Sequence, residues 1–84
     1  MATPADLKQS IATYETLIAK YTLARERMVE RRKGAADHVM VELDERLEAN
    51  KRTVEAFQRA IEITRDQLRI VERNQRMIGK RSGA

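Results

Sequence analysis

Residues equipped for chemistry are few in this chain, and none has the company its chemistry needs. His38 is the only histidine and there is no cysteine, so no second ligand stands at a spacing that a zinc site could use. Ser10, Ser82 and the threonines lack a histidine or lysine constellation to activate a hydroxyl. The carboxylates fall on solvated helical faces or beside basic residues, not in the apolar surroundings that tune a general acid. There is no glycine-rich phosphate loop, and two helices form a poor concave pocket. No enzyme activity, cofactor, metal or small-molecule substrate is expected.

The arginines are the remaining chemical resource. Lys and Arg number 17 against 13 Asp and Glu, a net charge of +4 with a pI near 9.9. The excess is localised. Residues 63–84 hold Arg65, Arg69, Arg73, Arg76, Lys80 and Arg81 against Asp66 and Glu72, which is six minus two, or +4. Residues 34–48 hold five acids against Arg46, which is −4. A second basic group, Arg25, Arg27, Arg31, Arg32 and Lys33, precedes that acidic segment. A basic helix end suits an anionic partner such as nucleic acid, but it equally complements the C-terminal end of the helix dipole. The second explanation is preferred, and nucleic acid is the alternative partner.

The elements that must position these residues are helices. Of the 84 residues 42% are apolar and 36% charged, with one proline, three glycines and three aromatics. That excludes disulfide scaffolds, Pro/Gly-rich chains and turn-rich β folds. The longest apolar run is Val39-Met40-Val41, far short of a membrane span. The N-terminal residues show no basic stretch leading into an apolar one. A soluble cytoplasmic protein is the expectation.

Thr3 is placed to cap a helix whose first residue is Pro4, with Asp6 in its first turn. Leu7, Ile11, Tyr14, Ile18, Tyr21 and Met28 follow at alternating steps of four and three, a heptad seam. A second seam runs from Ala36 through Met40, Leu43, Leu47, Asn50, Val54, Phe57, Ile61, Thr64, Leu68 and Val71 to Ile78. It is one residue out of phase with the first. Gly34 lies at the slip, where glycine suits the position past a helix end. The spacing predicts an all-α fold: a two-helix antiparallel, coiled-coil-like hairpin forming a single domain. Its helices are expected over about 4–33 and about 35–78, with a turn at 34 and a frayed tail at 79–84.

Helices of about 30 and 44 residues would span about 45 and 66 Å at 1.5 Å per residue. Folding back at Gly34 sets Met28 against Met40, Tyr21 against Leu47, Tyr14 against Val54 and Leu7 against Ile61. The second helix then projects past the first from about Ile63, yet that projection is apolar. Leu68, Val71 and Ile78 lie on the main seam there; Ile63, Ile70 and Met77 form a second stripe that continues back through Ala56 and Ala49. Burying six such side chains is worth roughly 9–18 kcal/mol gross at 1.5–3 kcal/mol each. These six are the expected partner-binding residues. The expected partner is a second copy, completing a four-helix bundle, or another helical protein.

Polar residues interrupt the seams at Asn50, Thr64, Arg25 and Arg32. Asn50 is expected to fix register, with Tyr14 and Tyr21 packed in the seam near it. Glu42 and Asp37 are the expected acids for the two arginines. In outline the chain resembles two kinds of small helical hairpin: the plasmid copy-number RNA-binding dimers and the helical-hairpin co-chaperones of type III secretion. The likeness is heptads and a mid-chain turn, and it carries over no residue. The expected function is an assembly, adaptor or chaperone-like interaction subunit. The alternative is a dimeric nucleic-acid binder using the six basic residues of 63–84.

Overall fold

A computed structural model gives the structure over residues 2–82, with side chains described for 2–78. Two helices, α1 (Pro4–Arg32) and α2 (Asp37–Ser82), pack antiparallel as a hairpin. The rod measures 71 × 17 × 14 Å, its length set by the 46 residues of α2.

Helix α1 opens with a reciprocal capping box. The Asp6 amide donates to Thr3 Oγ1 and the Thr3 amide donates to Asp6 Oδ2, both at 3.1 Å. Two donors that helical geometry would leave orphaned are thereby satisfied, and Pro4 has no amide hydrogen to place. At the other end the Ala35 amide donates to the Arg32 carbonyl at 3.2 Å. Lys33 has φ −66° and ψ 119°, and Gly34 has φ +77°. These are the angles and the glycine position of a type II turn. The helix break falls at Gly34 as the phase slip predicts. The connection is longer than one residue, however: 33–36 lie outside both helices, and α2 starts at Asp37 with its first bonds accepted by Ala36. The tail expected to fray from 79 is helical through Ser82, and Gly83 and Ala84 lie outside the described residues.

The core is one side chain deep. Leu7, Leu43 and Ile61 are its buried apolar residues, joined by the polar Asn50 and Thr64. Phe57 fills the centre with its ring 5.9 Å from that of Tyr14 and 5.8 Å from that of Tyr21. Such tilted pairs contribute about 0.5–1.5 kcal/mol beyond their area. Thr64 satisfies its hydroxyl internally, donating to the Ala60 carbonyl at 2.7 Å.

The register differs from the simple fold-back. Tyr14 packs against Phe57, three residues beyond Val54, and Tyr21 is met by Asn50, three residues beyond Leu47, and by Phe57. Helical side chains lean toward their own N-terminus. In an antiparallel hairpin this tilts α1 side chains away from the turn and α2 side chains toward it. Contacts therefore form further out along α2 than a count of Cα positions gives. Long side chains reach further still, as in Glu15–Arg65 at 3.3 Å and Lys8–Glu72 at 3.9 Å.

Candidate functional site

The shifted register corrects the expected overhang. Helix α1 covers α2 as far as Glu72, not merely to Ile61, because Leu7 is buried and Lys8 pairs with Glu72. Leu68 and Val71, expected to project past α1, are half-buried within the hairpin. The other four expected contact residues are exposed: Ile63 by 60%, Ile70 by 59%, Met77 by 49% and Ile78 by 64%. Ile78 continues the main seam past the first turn of α1, whereas Ile63, Ile70 and Met77 lie on a different side of the helix.

That side is defined by a simple offset. Consecutive helical residues are about 100° apart. The residue after each seam position turns to one side of the hairpin and the residue before it to the other. After Leu7, Tyr14, Leu43, Thr64 and Val71 come Lys8, Glu15, Asp44, Arg65 and Glu72. These form the cross-helix ion pairs Lys8–Glu72 and Glu15–Arg65, while Asp44 takes Arg32. Before Asn50, Phe57, Thr64 and Val71 come Ala49, Ala56, Ile63 and Ile70. These cross-helix ion pairs lie on one side of the hairpin; on the other, α2 carries no charge from Ala49 to Met77.

The uncharged side of α2 is more extensive than its apolar members suggest. Adding the intervening positions of the four-three rhythm brings in Thr53, Ala60, Gln67 and Asn74. From Ala49 to Met77 no position of this seam is charged, in a chain that is 36% charged. Sequence reading by apolar residues alone misses Thr53, Gln67 and Asn74, because the signal is missing charge, not added hydrophobicity. On α1 the same side carries a shallow groove lined by Leu17, Lys20, Tyr21 and Ala24. Leu23, Val29 and Val41 are further exposed apolar residues toward the turn.

Arg65, Arg69, Arg73 and Arg76 recur at steps of four, four and three and so share one exposed face of α2, but two of them are paired with acids. Arg65 is engaged by Glu15, and Arg69 lies 3.6 Å from Asp66. Arg73 and Arg76 are exposed, and the side chains of Lys80 and Arg81 lie outside the described residues. At the turn, Arg32 takes Asp44 in a two-pronged contact, Nε to Oδ1 at 2.7 Å and Nη2 to Oδ2 at 3.3 Å. This replaces the expected pairing of Arg32 with Glu42 or Asp37. The hydrogen bond from Arg32 holds the Asp44 carboxyl below its ordinary value, and Asp44 raises Arg32 in return. His38 is exposed, and among the described residues no cluster of His, Asp or Glu could hold a metal ion. Nor is any described helix long and apolar enough to cross a membrane.

The fold and this two-sided surface define the chain as an all-α helical hairpin. No family model, curated protein or solved structure matches it.

Proposed function

We propose that this protein is a non-enzymatic interaction module, an assembly, adaptor or small chaperone-like subunit that binds another helix along the uncharged side of α2. The observation that supports this is the seam from Ala49 to Met77, exposed at Ile63, Ile70 and Met77 and free of charge throughout. Two seams on one helix call for two neighbours, and α1 occupies only the first. Apolar side chains aligned in this way on a helix are the anchors of helix-in-groove recognition.

The alternative, nucleic-acid binding through Arg65, Arg69, Arg73, Arg76, Lys80 and Arg81, fits less well. Glu15 and Asp66 engage Arg65 and Arg69, which offsets part of the charge that would track a phosphate backbone. Ile63→Asp and Ile70→Asp separate the two readings, since both positions are exposed and neither supports the hairpin. Association lost in these variants, and only modestly weakened by salt in the parent, is the expected result. Binding to DNA or RNA that survives both substitutions and collapses between about 50 and 200 mM salt would replace this reading with the alternative.

A further inference from the structure

The uncharged seam is graded along its length. Its first four positions, Ala49, Thr53, Ala56 and Ala60, carry small side chains, and the remainder, Ile63, Gln67, Ile70, Asn74 and Met77, carry large ones. The formal charge of α2 is graded in the same sense, −4 over 34–48 and +4 over 63–84. A helix lying against this seam at constant distance must be large where the seam is small and small where it is large. It must also be basic where α2 is acidic. Read backwards, α2 itself has that pattern.

We infer that the occupant of the seam is a second copy of this chain, its α2 laid antiparallel about a two-fold axis between Ala60 and Ile63. This rests on the interaction reading above and names its partner. In this register Ile63 lies over the partner's Ala60, Gln67 over the partner's Ala56, Ile70 over the partner's Thr53 and Asn74 over the partner's Ala49. Four of the five large residues meet a small one, as knobs-into-holes packing favours; the fifth, Met77, lies over the partner's Arg46. The two-fold makes each contact occur twice. The basic end of each α2 runs beside the acidic start of the other. A parallel, in-register pair does the opposite: alanine faces alanine at one end, isoleucine faces isoleucine at the other, and like charges are stacked at both. The two α1 helices fall on the same side of the α2 pair, the arrangement of a four-helix bundle.

The chain has no cysteine, so disulfide mapping reads the geometry directly. Thr53→Cys and Ile70→Cys are made separately and oxidised with diamide, alone and as an equimolar mixture. Each alone is expected to stay monomeric on a non-reducing gel, since copies of one position lie 17 residues or about 26 Å apart along the axis. The mixture is expected to give a covalent heterodimer, because 53 and 70 come within disulfide reach. Self-cross-linking of each variant alone would overturn the antiparallel assignment in favour of a parallel pair. A 9.7 kDa species in sedimentation equilibrium at micromolar concentration, with no cross-link in any mixture, would overturn self-pairing altogether. If that monomer still bound a fluorescent amphipathic model helix, and Ile70→Asp abolished the binding, the interaction reading would stand without self-pairing. If it bound none, both would fall.

Discussion

Asn50 Nδ2 donates a 2.9 Å hydrogen bond to the backbone carbonyl oxygen of Tyr21, across the buried seam between the two helices. The sequence places Tyr21 in the seam near Asn50; the contact between them runs to the Tyr21 main chain. It ties a side chain of α2 to a fixed point on α1, so it specifies the axial register of the hairpin. The cost is visible on the same side chain: Oδ1 of Asn50 is buried and has no hydrogen-bond partner.

Asn50→Leu is therefore expected to stabilise the hairpin. The net contribution of one hydrogen bond is about 0.5–1.5 kcal/mol, whereas a buried orphan acceptor costs about 1–3 kcal/mol. The variant should unfold at higher urea concentration, by about 1–2 kcal/mol, and give broader or doubled NMR resonances as alternative registers become populated. A lower urea midpoint would show that Oδ1 finds water in solution.

Gly34 is required by its backbone and not by its surroundings. Its φ is +77°, and a Cβ placed there would meet nothing within 4 Å. Gly34→Ala should cost about 1–2 kcal/mol, the penalty for an L-residue in the left-handed region. Gly34→Asn should cost less, because asparagine tolerates that region. Equilibrium urea unfolding of the two variants checks the ranking.

The Arg32–Asp44 contact gives a pH dependence of known sign. Asp44 is held below its ordinary value of 3.8 by the hydrogen bond from Arg32. A depressed carboxylate contributes stability that is present above the unfolded value and lost as pH falls through the folded one. Asp44→Asn should flatten the acid limb of the stability curve below about pH 4. Both groups are exposed, so the effect should be small and should shrink further with added salt.

Helix identity, the break at Gly34, the capping residues Thr3 and Pro4 and the interior position of Asn50 are all legible from residue types and spacing. These depend on local geometry, which a periodicity captures. Register is not local. Counting back from the turn misplaces Tyr14 and Tyr21 by three residues, since the count takes no account of side-chain lean or of the four residues in the connection. That error exaggerates the overhang and puts Leu68 and Val71 on it. The partner of Arg32 is missed for the same reason, Asp44 lying further along α2 than either Asp37 or Glu42. Of the candidate surface, the stripe of Ile63, Ile70 and Met77 is readable as an apolar repeat. Its polar members, Thr53, Gln67 and Asn74, emerge only when the charged and uncharged sides of the hairpin are set against each other.

A rod 71 Å long and 17 × 14 Å across has no centre in the sense that a globular domain has one. Each layer of side chains touches only the layers above and below, so cohesion accumulates along the length as in a zip fastener. Opening is cheapest at the end remote from Gly34, where Leu7 and the capping box close the stack. A fault introduced midway, at Phe57 for instance, would loosen everything beyond it while the part next to the turn stayed shut. Hydrogen exchange in the lone hairpin, at concentrations that keep the chain monomeric, should accordingly be ordered by distance from the turn, slowest near Leu43 and fastest beyond Glu72, a gradient rather than a single global rate.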